Sequence, residues 1–222
     1  MIGRTALITG ASRGIGGAIA EFFRELGAVV LSPTRQELDL SSNESIEKYC
    51  KTLELPVDIL INNAGINPLG SAGEFSDGDL VATIQINLIA PMKLVRAFSP
   101  GMASRGYGRI LNISSIWGAV SKQRRFVYTT TKTGINGMTR SAAVELSGAG
   151  VLVNALAPGF VNTTLTMQNN SEEDLLAITA SIPAGRLAEP AEIAEVAAFL
   201  CSSRNSYISG QTLFVDGGFT CL

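Results

Sequence analysis

Tyr128 and Lys132, four residues apart in Val127-Tyr128-Thr129-Thr130-Thr131-Lys132, are the two parts needed to move a proton near neutral pH. On a helix, positions i and i+4 share one face. A phenol alone titrates near pH ~10, but a neighbouring ammonium stabilises the phenolate and draws that value down. The same spacing also describes two residues on an exposed helical face, so its meaning depends on what the rest of the chain brings to it.

The chain contains no histidine, which excludes His-based catalytic triads and His metal sites. Cys50, Cys201 and Cys221 show neither paired nor metal-like spacing, as in a reduced, cytoplasmic protein. With 222 residues, 46% hydrophobic, and a net charge of −2, one globular domain over residues 1–222 with a substantial core is expected. The weak acidity and the lack of a long Lys/Arg run argue against a dedicated nucleic-acid or membrane-surface protein. The N-terminus enters a short apolar run without the pattern of a signal peptide, and no run is expected to be long enough to span a bilayer.

Stretches rich in Val, Ile and Leu near 4–9, 28–32, 57–61, 108–113, 150–156 and 211–215 read as buried strands. Amphipathic stretches near 15–26, 43–53, 76–103, 126–147 and 190–201 read as helices between them, with a further one over Glu172 to Ser181. The alternation predicts an α/β fold, a doubly wound parallel sheet with helices on both faces. Glu37-Leu38-Asp39-Leu40 is assigned as an additional short strand, giving about seven. Only Ser32-Pro33-Thr34-Arg35-Gln36 precedes it, which leaves no room for a crossover helix.

After the first strand comes Thr9-Gly10-Ala11-Ser12-Arg13-Gly14-Ile15-Gly16, then a helix. Glycines permit a tight turn and close approach to a pyrophosphate, whose charge is favoured by the free N–H groups at a helix N-terminus. Gly10, Ser12, Arg13, Gly14, Ile15 and Gly16 are therefore candidate dinucleotide contacts; a ligand-free turn is the plainer alternative. About twenty residues on, an acid suits the ribose hydroxyls of NAD, and an Arg suits the 2′-phosphate of NADP. That place holds Thr34 and Arg35, with Arg13 as a second cation, so NADP(H) is preferred and NAD(H) remains possible. Asp39, with Leu40 beside it, is placed nearer the adenine edge.

Several motifs now stand in order: Thr9-Gly10-x-x-x-Gly14-x-Gly16, Asn62-Asn63-Ala64-Gly65, Asn87 in Ile86-Asn87-Leu88, Ser115 in Asn112-Ile113-Ser114-Ser115, Tyr128-x-x-x-Lys132, and Pro158-Gly159. With these motifs the whole chain resembles the classical short-chain dehydrogenase/reductases. Its C-terminal Gly185-Arg186-Leu187-Ala188-Glu189-Pro190 and Val215-Asp216-Gly217-Gly218 look like the 3-oxoacyl-carrier-protein reductase and sugar or polyol dehydrogenase branches. The resemblance implies a Rossmann-like fold and an enzyme that interconverts a carbonyl and a secondary alcohol by hydride transfer.

It also implies residue roles. Tyr128 would be the acid/base, and Lys132 would bind the nicotinamide ribose and lower the Tyr128 pKa. Ser115 would hold the reacting oxygen, with Ser114 as its competitor, and Asn87 would hold a relay water. Asn63, Ala64, Gly65, Pro158, Gly159, Val161 and Thr163 would line the cofactor path. The polar stretch 162–171 corresponds to the family's variable lid, and Trp117, Gln123 and Phe126 are the expected pocket wall. Lys122, Arg124 and Arg125 form a basic cluster that suits either a charged substrate or plain solvent. A small-molecule substrate and a homo-oligomer are implied. A non-catalytic dinucleotide sensor or scaffold is the competing reading.

Overall fold

The computed structural model describes residues 1–168 and 170–222, the side chain of Leu165 being left aside. Asn169, within the expected lid, lies outside the described residues. The strands are β1 (Thr5–Ile8), β2 (Val29–Leu31), β3 (Ile59–Asn62), β4 (Gly108–Ile113), β5 (Val151–Pro158) and β6 (Thr212–Val215). They form one parallel sheet in the order β2-β1-β3-β4-β5-β6. The helices are α1 (Gly14–Glu25), α2 (Asn43–Thr52), α3 (Asp77–Ile84), α4 (Ala90–Ser104), α5 (Phe126–Leu146), α6 (Thr164–Gln168), α7 (Glu172–Ser181) and α8 (Pro190–Cys201).

Both faces of the sheet are covered, which is why its strands read as continuous apolar runs. Successive side chains point to opposite faces. Ala6 and Ile8 of β1 join Ile59, Ile61, Leu111 and Ile113 in a core closed by α1 and α8. Leu7, Leu60 and Ile110 face the other way, against α2, α4 and α5. Leu7, Ile8, Phe23, Ile59, Leu60 and Ile61 are fully buried, and each contributes about 1.5–3 kcal/mol relative to exposure. From β1 the chain passes outward to β2 and then back across to β3. The direction of winding therefore reverses between β1 and β3, and a crevice opens beyond their C-terminal ends.

The sheet has six strands among the described residues, and Glu37–Leu40 is a turn rather than the additional strand expected. Its alternating pattern imitates a strand, but local bonds consume its polar groups. The Glu37 carboxylate accepts from the Thr34 backbone N–H at 2.7 Å and its hydroxyl at 2.9 Å. Asp39 accepts from the Ser41 N–H at 2.9 Å, and its own N–H donates to Ser45 Oγ. Leu38 is buried in the core and Leu40 packs against it, but neither pairs with a strand, so β2 forms the sheet edge.

The long helix expected over 76–103 is continuous, but its middle, Gln85–Ile89, is wound as a π-helix between α3 and α4. Such widened turns occur frequently at functional sites. By length and composition the 28-residue helix Asp77–Ser104, which holds an 18-residue window of mean hydropathy 1.3, would also reach across a bilayer, contrary to the sequence expectation. Here Leu94 and Met102 are instead buried against the sheet. Val81, Ile89 and Met92, together with Val144 of α5, remain exposed.

Candidate active site

A cavity of about 570 Å³ occupies the crevice and brings together most of the sequence candidates. At one end lie Gly10, Ser12, Arg13, Gly14, Ile15 and Gly16, with Arg35; at the other lie Ser115, Tyr128 and Lys132. Asn63, Ala64, Gly65, Pro158, Gly159, Val161 and Thr163 line the path between them.

The glycine turn is locked to the end of β3. Thr9 Oγ1 accepts from the backbone N–H groups of Asn63 and Ala64, both at 3.1 Å. Asn63 Nδ2 donates back to the carbonyls of Thr9 and Gly10 at 2.9 and 3.0 Å. Gly10 takes φ +66°, and a Cβ on it would stand 2.9 Å from Ala64 Cα. A Cβ on Gly16 would overlap the Asn63 amide and the Gly10 carbonyl. Both glycines are therefore required by the fold, and the turn leaves a bare backbone cradle at the start of α1. Gly16→Ala is expected to cost about 1–3 kcal/mol, read by chemical denaturation; an unchanged midpoint would mean that Asn63 can yield.

At the other end, α5 carries Tyr128 and Lys132 on one face, as their spacing predicts. Lys132 is almost fully buried, and its ammonium donates to the Ile113 carbonyl at 2.7 Å. Desolvation pushes its pKa down to about 8. Lys132 Nζ sits 5.5 Å from the centre of the Tyr128 ring. Burial raises the Tyr128 pKa, while Ser115 and the charge of Arg125 pull it back. The cation drawing the phenol down in this structure is thus Arg125, rather than the lysine inferred from sequence.

Of the two serines, Ser114 Oγ donates to Asn136 Oδ1 at 2.7 Å. Ser115 Oγ accepts from the Trp117 N–H at 3.2 Å, and its hydroxyl faces the Tyr128 phenol, whose pKa that hydrogen bond helps to lower. Asn87 is buried in the π turn, with both ends of its amide engaged by Ile66: Oδ1 accepts from the Ile66 N–H at 2.9 Å, and Nδ2 donates to the Ile66 carbonyl at 2.8 Å. It therefore fixes the loop beside Gly65.

Thr34, Asp39 and Leu40 do not line the cavity. Asp39 pairs instead with Arg35 at 3.7 Å, and Thr34 is held by Glu37. Trp117 lines the cavity as expected, but Gln123 and Phe126 turn outward and do not. Edge-to-face contacts with Phe160 at 6.0 Å and Phe219 at 6.3 Å seat the Trp117 ring. Sequence reasoning missed Asn136, which also donates to the Gly118 carbonyl. Its signal was its place four residues after Lys132, on the same helical face. Ile66 and Asn67 were missed as well, and no spacing pointed to them.

The family model described as Enoyl-(Acyl carrier protein) reductase matches residues 32–220. The 3-oxoacyl-[acyl-carrier-protein] reductase FabG of Vibrio cholerae serotype O1 is 38% identical over 237 residues, covering 97% of each chain. A Beutenbergia cavernae protein assigned as an NAD(P)-dependent gluconate 5-dehydrogenase, with NADP bound at low occupancy, superposes with a TM-score of 0.96 at 37% identity; the match covers 100% of this chain and 98% of that one. A gluconate 5-dehydrogenase from Burkholderia cenocepacia in complex with NADP and tartrate gives a TM-score of 0.95 at 29% identity, covering 100% and 97%. A glycine-lined cavity, Tyr128 and Lys132 on one face of α5, and whole-length similarity thus agree: the chain belongs to the classical short-chain dehydrogenase/reductase family, as an oxidoreductase of carbonyl and alcohol groups.

Proposed function

We propose that this protein is an NADP(H)-dependent reductase of a carbonyl, or dehydrogenase of the matching secondary alcohol, with Tyr128 as its acid/base. The observation that carries this reading is one cavity running from the glycine cradle to Tyr128 and the buried Lys132. The cradle fits a dinucleotide, because the turn offers bare backbone and the cavity lining contains four cations and no carboxylate. When bound there, the cofactor supplies or accepts the hydride.

The protein's own residues do the rest. The backbone of Gly10 to Gly16 and the start of α1 hold the pyrophosphate. Arg13 and Arg35 receive the 2′-phosphate, and the NADP of the structural relatives supports that choice. Lys132, pointing in from α5, holds the ribose hydroxyls. The Ser115 hydroxyl, beside the Tyr128 phenol, donates to the reacting oxygen, while Ser114 is spent on Asn136. Tyr128 passes its proton to that oxygen in reduction and takes it back in oxidation. The Asn87 amide is bound to Ile66 at both ends, which leaves one lone pair of its oxygen for a relay water. The relatives support both an oxoacyl and a polyhydroxy substrate.

A screen of carbonyl compounds for NADPH oxidation tests the reading. Turnover is expected for at least one class, whereas tight NADPH binding without turnover of any would favour a sensor. Arg35 is 80% exposed at its side chain and shares its charge with Asp39. Arg35→Ala should therefore lower the NADP over NAD preference by about tenfold, measured as the ratio of dissociation constants; an unchanged ratio would remove Arg35 from the phosphate site.

A further inference from the structure

We propose that Arg125 is a substrate-binding residue that pairs with a carboxylate, so that the enzyme acts on an oxo or hydroxy acid. This rests on the reductase reading above and names the substrate class of that same site.

Three neighbouring cations, Lys122, Arg124 and Arg125, have different fates. Lys122 and Arg124 are exposed, but Arg125 is half-buried and lines the cavity beside Tyr128 and Trp117. Arg124 takes φ +64°, the only positive φ outside glycine among the described residues. For a residue with a long side chain this conformation is strained, and such strain clusters where function requires it. The kink is pinned by the Arg124 carbonyl, which accepts from the Gly70 N–H at 3.3 Å. It turns Arg125 inward, with its guanidinium carbon 5.9 Å from the Trp117 ring centre.

Once inside, the guanidinium has nothing to neutralise it. No acid forms a salt bridge with Arg125 among the described residues, and no carboxylate lines the cavity. Its Nη1 is shielded from solvent and has no hydrogen-bond partner. A buried donor left unpaired is costly, and a charged one more so. Arg125 also stands at the N-cap of the 21-residue α5, whose first turn holds no acid, so the helix dipole adds to its positive charge. Desolvation lowers its pKa from the ordinary range, the charge of Arg124 adds to the fall, and only the Tyr128 phenol opposes it. Arg13 and Arg35 lie at the far end of the cavity and Lys132 is bonded to Ile113, which leaves Arg125 as the cation for the substrate.

The Asn67 amide oxygen, also on the cavity wall, is buried and unpaired. An orphan donor and an orphan acceptor suit a ligand bearing both an anion and a hydroxyl. A planar fork on Arg125 matches a carboxylate through two parallel bonds.

The test compares acetoacetate with methyl acetoacetate, dihydroxyacetone phosphate with dihydroxyacetone, and, without turnover, the calorimetric binding of gluconate and of sorbitol to the NADP complex. Thermal unfolding verifies that Arg125→Gln and Arg125→Lys are folded. The wild type should prefer acid over ester in kcat/KM by at least tenfold and bind gluconate in preference to sorbitol. Arg125→Gln should reduce that preference by about 10–100-fold, with Arg125→Lys intermediate.

Equal use of acid and ester by the wild type would overturn the proposal. So would an Arg125→Gln variant that loses both substrates equally and shifts the pH profile, because Arg125 would then act only through the Tyr128 phenol. Preference for the phosphate ester over every carboxylate would replace the proposed ligand. If no carbonyl is reduced but gluconate binding still depends on Arg125, the reductase reading fails and the carboxylate contact stands.

Discussion

Tyr128→Phe is expected to lower turnover by about a thousandfold while leaving NADPH affinity within a fewfold of the wild type. The substitution removes one hydroxyl and keeps the ring between Lys132 and the cavity wall, so the loss falls on proton transfer. Single-turnover NADPH oxidation with the best carbonyl of the screen, together with a fluorescence titration of NADPH, separates the two effects. The direction of the pKa shift adds a second reading. Burial holds the phenol protonated, only partly opposed by Ser115 and Arg125. Carbonyl reduction, which uses the phenol as an acid, should therefore be level through neutral pH and decline only in alkali. Alcohol oxidation, which needs the phenolate, should climb with pH. Equal turnover by Tyr128→Phe and wild type would remove Tyr128 from the mechanism.

The residues that make this experiment worth doing were legible before any coordinates because their signals are local. Tyr128 and Lys132 face one way through helical periodicity alone, and the glycine turn is marked by glycines that no other residue can replace. The apolar runs translate into strands because both sheet faces are buried. Where the reading missed, the deciding interactions were invisible to periodicity. Glu37-Leu38-Asp39-Leu40 alternates like a strand, yet Glu37 and Asp39 close turns on Thr34 and Ser41. The π turn at Asn87 inserts into an otherwise regular helical pattern and leaves no compositional mark. The basic cluster before Tyr128 looked uniform, and only the left-handed Arg124 separates an inward Arg125 from its exposed neighbours.

Lys132→Met should stabilise the fold at neutral pH while abolishing most activity, and the gain should shrink in alkali. Lys132 is 4% exposed, and its pKa falls from an ordinary 10.5 to about 8 because the ammonium is desolvated. Below pH 8 both the folded and the unfolded chain carry the proton, and the folded chain bears the full cost of burying it. Between about pH 8 and 10.5 the unfolded chain binds more protons, so stability rises with pH across that window as far as this group is concerned. A shift of this size corresponds to about 3 kcal/mol at most, and loss of the bond to the Ile113 carbonyl reduces the net gain. Urea denaturation at pH 7 and pH 10 should show Lys132→Met ahead of the wild type at the lower pH and near parity at the higher. A difference that is the same at both would mean that the ammonium is not strained by burial. A charged amine kept desolvated against the stability of the fold is what the proposed role would require, with ribose hydroxyls to hold on one side and, through the Tyr128 phenol, a proton in transit.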